Sequence, residues 1–200
     1  VNVAGADCDE NTVLRPLDLW EPEAAVRVPW LADVLHQAHV PLVPMDGWHG
    51  RGKSMGAVHG VVLHDTVTPG WPDQRTGELL RDGRADLRGP LSQLGVDHRG
   101  RVWLIADGRS NHNGHGQWGN DAIGIEVMCG GGALGNEEPW NAAQRETVAR
   151  ATAAVLRHLG LPASRARGHR ETDPGRKIDP YGVDMAAVRS SIANYMTPPT

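Results

Sequence analysis

Short apolar runs alternate with amphipathic stretches along this chain, and that alternation limits the fold more than any other feature. Residues 57–64 form an apolar run of strand length, closed by Thr66, Thr68, Pro69 and Gly70. Residues 93–96 and 101–105 flank Asp97-His98-Arg99-Gly100, which predicts a hairpin. Residues 122–128 read as a further strand and 166–168 as a short one. Helices are expected between them. Residues 73–81 form a short one, with Asp73 near its N-cap. The clearest runs from Asn141 to about Leu159, with Ala143, Val148, Ala151, Val155 and Leu159 as its apolar stripe and Gly160 and Pro162 as its stop. A last amphipathic helix covers 183–196. Residues 108–120, 129–139 and 170–181 read as loops. Strands interleaved with helices predict an α/β fold, a single domain with a central mixed β-sheet flanked by helices.

The chain has 200 residues, enough for one domain, or one domain plus an extension. Residues 1–50 differ from the rest. Pro16, Pro22, Pro29, Pro41 and Pro44 leave room only for a short helix at 29–36. We read 1–50 as an N-terminal extension packing on the domain formed by 51–200. A net charge of −4 argues against capture of a nucleic-acid backbone. Arg165, Arg167 and Arg170 are a local cluster, read as a solvated face. No apolar run is long enough for membrane insertion. Cys8 and Cys129 are two buried or free thiols, or one bridge. Basic residues are skewed, with Lys53 and Lys177 the two lysines among 20 Lys and Arg. The opening residues lack a basic stretch followed by an apolar one.

Ten histidines are many for this length. Most fit structural roles, but two stand out. His64 ends an apolar strand, where a side chain is held rigidly and faces a loop-lined cleft. His169 follows 166–168 and opens a polar loop containing Asp179, whose backbone Pro180 restricts to extended conformations. Two histidines and a carboxylate are a ligand set used by catalytic zinc, although the long spacing matches no local motif and Asp179 could instead pair with Arg176. Glu126 lies inside Ile123-Gly124-Ile125-Glu126-Val127. It needs a partner, a cleft, or a wet second face. His112 and His115 sit in a polar loop that could line a groove.

Four segments together resemble the zinc-dependent N-acetylmuramoyl-L-alanine amidases, the amidase type 2 and peptidoglycan recognition protein superfamily. They are Val-Val-Leu-His64-Asp-Thr66, Asn111-His112-Asn113-Gly114, Ile123 to Glu126, and Gly-His169 followed by Lys177 and Asp179-Pro180. They occur in the family's order over 58–180. Asp65 departs from the pattern, standing where an aromatic or His is common. The segments around Trp30–Leu35 and Gly47-Trp48 are similar to ones that precede amidase domains in endolysins of actinobacteriophages. The resemblance implies Zn2+ held by His64, His169 and Asp179, with Glu126 as general base and Lys177 stabilising the oxyanion. It implies substrate contacts from His112, Asn113 and Thr66, and a catalytic domain over 51–200. The implied partner is peptidoglycan, cut between N-acetylmuramic acid and L-alanine by a monomer during phage-induced lysis. The chain would then accumulate in the host cytoplasm or have lost a leader. A bacterial autolysin, a non-catalytic peptidoglycan-binding module and a peptidase cutting within the stem peptide are the competing readings.

Overall fold

The structure, a computed structural model, describes residues 26–131 and 139–197. Cys8, the first half of the expected extension and most of the loop expected at 129–139 lie outside these. The chain runs α1 (Leu31–Gln37), β1 (Leu42–Pro44), β2 (Val61–Asp65), α2 (Asp73–Asp82), β3 (Gly83–Arg84), β4 (Leu87–Arg88), β5 (Leu94–Val96), β6 (Val102–Leu104), β7 (Ile123–Val127), α3 (Ala142–His158), a 3-10 turn, β8 (Ala166–Gly168), α4 (His169–Thr172) and α5 (Met185–Met196). One mixed sheet has the order β1-β6-β5-β7-β2-β8, and β3-β4 is a separate hairpin. Within the sheet β5 and β6 run antiparallel, as the turn at 97–100 requires, and the other neighbours are parallel.

Local chemistry explains the elements. Asn141 caps α3 reciprocally with Gln144: each side chain accepts from the other's backbone N–H, at 2.9 and 3.0 Å. Asp97 holds the β5–β6 turn by accepting from the backbone N–H groups of Arg99 and Arg101. Along β2 and β7, alternate residues face opposite ways. Val61, Leu63, Ile123, Ile125 and Val127 join one large core with Leu31 and Leu35 of α1, Val148 and Val155 of α3, and Ile192 of α5. Each such side chain contributes about 1.5–3 kcal/mol on burial. The other face is covered at one end by α2. There Gly77 lets the helix press onto Trp103, since a Cβ would lie 2.8 Å from the indole.

The structure extends the sequence reading at three points. Residues 26–50 supply α1 and the edge strand β1, and Val28, Val40 and Trp48 enter the main core. The hairpin at 83–88 has no counterpart in the sequence reading. The polar loop expected after 168 begins with the helical turn α4. The three clustered arginines do not form a common patch. Arg165 and Arg167 lie over the Trp118 ring, both at 5.5 Å, while Arg170 donates to the carbonyls of Pro180 and Val183. No described helix is long and apolar enough to cross a membrane.

Candidate active site

The site forms at the C-terminal ends of β2, β7 and β8, where open α/β sheets present ligand crevices. The parallel register pairs His64 with Glu126 and Leu63 with Gly168, so His169 emerges beside His64. The 179–180 segment then folds back over this edge. Arg170 N–H donates to Asp179 O at 2.8 Å, and Gly168 leaves room for Pro180, whose Cδ would lie 2.9 Å from an added Cβ.

Three donor atoms converge. His64 Nδ1 and His169 Nδ1 are 3.0 Å apart, and Asp179 Oδ2 lies 3.3 and 3.1 Å from them. Ligands at roughly 2.0–2.1 Å from a tetrahedral zinc are about 3.3 Å apart, so the triangle fits such an ion with one face left open. Arg176, the alternative partner for Asp179, instead bonds Asp173.

Proton positions follow from one carbonyl. His112 Nε2 lies 3.1 Å from Ala122 O, which can only accept, so a neutral His112 carries its proton there. Its Nδ1 then accepts from His64 Nε2–H, at 3.1 Å. His64 Nδ1 is left with a free lone pair facing the triangle, the tautomer a metal ligand needs. Burial keeps both rings neutral. It lowers His64 to about 4, although the Asp179 carboxylate beside it favours the protonated ring, and takes His112 well below the ordinary imidazole value, with His64 adding to the effect. Burial opposes ionisation of Asp179, but the imidazoles of His169 and His64 beside it outweigh burial and hold the carboxylate well below its usual range.

Glu126 and Lys177 line the same cleft, a space of about 440 Å³. Glu126 Oε2 and His169 Nε2 are buried without a protein partner among the described residues. Burial raises the Glu126 carboxyl well above its usual value, and Asp179 and Asp65 push the same way. Such a carboxylate holds a proton readily, as an acid–base group must. Thr66 also lines the cleft, its hydroxyl 2.7 Å from that of Thr68.

Two of the expected substrate contacts are themselves held by protein partners. Asn113 is fully buried behind the cleft; its Nδ2 donates to Gln117 O and its Oδ1 accepts from Thr172, each at 2.9 Å. His112 is both lining and scaffold. Its ring occupies the space left by Gly124, where a Cβ would come within 2.8 Å. Asp65 was legible only as a departure from the family pattern. Its buried carboxylate accepts from Trp140 Nε1 at 2.6 Å and from Tyr181 N–H at 2.8 Å, so it ties the end of β2 to the segment bearing Asp179.

Solved structures share this architecture. The amidase LysCS, an endolysin from Clostridium intestinale, superposes with a TM-score of 0.55 at 14% identity, covering 78% of this chain and 97% of that one. Staphylococcus aureus AmiA, solved with its ligand, gives 0.58 at 15%, covering 86% and 92%. AmiD from E. coli, solved with the substrate anhydro-N-acetylmuramic acid-L-Ala-D-γ-Glu-L-Lys, gives 0.51 at 20%, covering 63% and 53%. At such identities the likeness is one of fold. No curated protein matches the chain by sequence. The sequence profile of the N-acetylmuramoyl-L-alanine amidases, however, matches residues 54–182, a span holding every residue of the cleft described above, and the chain belongs to that family.

Proposed function

We propose that this protein is a zinc-dependent N-acetylmuramoyl-L-alanine amidase that cuts peptidoglycan between N-acetylmuramic acid and L-alanine, as a monomer, in phage-induced lysis of the host. The convergence of His64 Nδ1, His169 Nδ1 and Asp179 Oδ2 beside Glu126 carries the reading. These three side chains would hold the ion. Zinc in such a site supplies Lewis acidity, polarising a carbonyl and acidifying water. Glu126 takes the proton of the attacking water and delivers it to the departing amide nitrogen. Lys177 balances the charge developing on the carbonyl oxygen. Asp65 and His112 hold Asp179 and His64 in place through the contacts given above. The lytic role draws on the resemblance of the segments around Trp30 and Trp48 to phage proteins, and on the family's action on cell walls.

The test combines zinc analysis with mass spectrometry of digested peptidoglycan. Stoichiometric zinc, chelator-sensitive turbidity loss and release of intact stem peptides with new L-alanine amino termini are expected. Binding to walls without cleavage in zinc-replete buffer, or a cut further along the peptide, would overturn the proposal.

A further inference from the structure

The cleft has an apolar rim. Among the described residues four large hydrophobic side chains are exposed, and three of them, Val67, Ile178 and Tyr181, at 39, 59 and 49%, line the cleft. Scattered singly such side chains are ordinary, but three around one site mark a contact surface. Ile178 stands between Lys177 and Asp179, and Pro180 alone separates Tyr181 from Asp179. Val67 follows His64, Asp65 and Thr66 out of β2. The rim therefore borders the donor triangle.

Val67 is held in a conformation that its own side chain opposes. Its φ is 52°, in the left-handed region. A residue branched at Cβ is an outlier there, because Cβ crowds the following carbonyl. Its neighbours impose the turn. Thr66 N–H donates to Val127 O at 3.0 Å and Thr68 N–H to Cys129 O at 2.9 Å, so both flanks are tied to the end of β7. The Thr66 hydroxyl accepts from Cys129 N–H at 3.2 Å and lies 2.7 Å from the Thr68 hydroxyl. Glycine would take the same φ without strain. The isopropyl group instead rests on Gly131, where an added Cβ would come within 2.8 Å of it, and the remainder faces the cleft. A side chain kept against its backbone preference at the mouth of a cleft points to a contact that the folded chain does not make by itself.

Strand register decides which half of the substrate meets this side chain. Val67 continues β2 alongside β7, the strand that carries Glu126, whereas Ile178 adjoins Lys177. In the proposed reaction Glu126 protonates the departing nitrogen and Lys177 faces the carbonyl oxygen, so the leaving peptide lies towards Val67. We infer that Val67 is a specificity-determining residue for the first residue of that peptide, favouring a small apolar side chain, the methyl group of L-alanine. The inference rests on the amidase reading for the identity of the ligand. That methyl group is borne by the carbon next to the departing nitrogen, and contact with the isopropyl group removes it from water. The strain at residue 67 is thus stability given up for selection at the first position of the peptide.

Calorimetry and thermal melting on the full chain test this without requiring turnover. The probes are the tripeptide L-Ala-γ-D-Glu-L-Lys, the same peptide with glycine in the first position, and N-acetylmuramic acid. The wild-type protein should bind the alanine peptide about fourfold or more tightly than the glycine peptide, as removal of one methyl group from water implies. Val67→Asn should abolish that preference. Because asparagine tolerates the left-handed region, this variant should also melt at a higher temperature than the wild type. Val67→Gly should lose the preference as well, which separates loss of the isopropyl group from the polarity of asparagine. Absence of a preference in the wild type would overturn the inference, as would a V67N protein that keeps it. So would V67N melting below the wild type, since the isopropyl group would then serve the protein's own packing. Variants that weaken N-acetylmuramic acid and leave both peptides unchanged would put the contact on the sugar side and overturn the assignment. Because binding is read directly, absence of hydrolysis would count against the amidase reading and leave this test intact.

Discussion

The two faces of β2 and β7 differ in kind although the same ten residues build them. Towards α1, α3 and α5 the strands present Val61, Leu63, Ile123, Ile125 and Val127, all fully buried in apolar surroundings. Towards the cleft they present His64, Gly124 and Glu126, and every polar atom there needs a partner or an open space. One face gains stability from area removed from water. The other gives some of it up, burying two neutral imidazoles and a carboxyl in a place where apolar side chains would pack more favourably. Folding and chemistry are thus assigned to alternate residues of one strand, and should separate under mutation.

The largest effect is expected on the cleft side. His169→Ala removes one corner of the donor triangle and should abolish stoichiometric zinc together with at least about 10³-fold of activity. Glu126→Gln should keep zinc and melting temperature but lose roughly 10²–10⁴-fold in turnover. Metal analysis and kinetics on one preparation check both; an E126Q enzyme with unchanged turnover would remove Glu126 from its role.

On the opposite face, one residue away, Leu63→Ala should cost about 2–5 kcal/mol of stability, because the close-packed core cannot collapse fully into the space. Zinc affinity of the folded fraction should stay within about twofold of wild type if the faces act independently. Chemical unfolding with and without zinc decides this, and a large loss of zinc affinity would break the comparison.

Much of this division was legible in the sequence. The apolar runs at 57–64 and 122–128 gave strands, and the period of two put Glu126 on the face away from Ile125. Asn141 and Gly160 marked the ends of α3 well. What sequence alone left open was distance. Nothing in the 105-residue separation of His64 from His169 brings them together. Their meeting follows from β2 pairing with β7 and β8, a tertiary fact. Edge strand β1 was missed because its three residues, half-exposed, have no run long enough to show alternation. Asn113 was grouped with its motif, while its burial is set by Asn120 and Thr172, residues with no local sequence relation to it.

A third test uses pH. In the metal-free protein burial lowers His64 to about 4 from 6.5. The unfolded chain therefore takes up a proton between those values while the folded one does not. Stability contributed by this neutral ring is present in full above about pH 6.5 and is lost as pH falls through about 4, to a limit of about 3 kcal/mol. Melting temperatures of chelator-treated protein should fall between pH 7 and 4.5, and His64→Asn should flatten that slope. Leu63→Ala should shift the curve down without changing its slope, which sharpens the contrast between the faces.

The smallest predicted effect tests the relay behind the ligands. His112→Ala deletes the acceptor for His64 Nε2–H and leaves the ring free to turn or to take the other tautomer. Loss of such an outer partner typically lowers metal affinity about 10–100-fold. Gly124→Ala should approach the same result without touching any polar group, because its Cβ would press on the His112 ring at 2.8 Å. Competition against a chelator of known affinity gives the zinc constant, and nitrogen chemical shifts of the metal-free protein report the His64 tautomer directly. Both variants should weaken zinc and redistribute the tautomer together. A weaker zinc constant with the tautomer unchanged would mean that His112 acts by filling space alone, and the cleft face would then owe its order to packing, as the core face does.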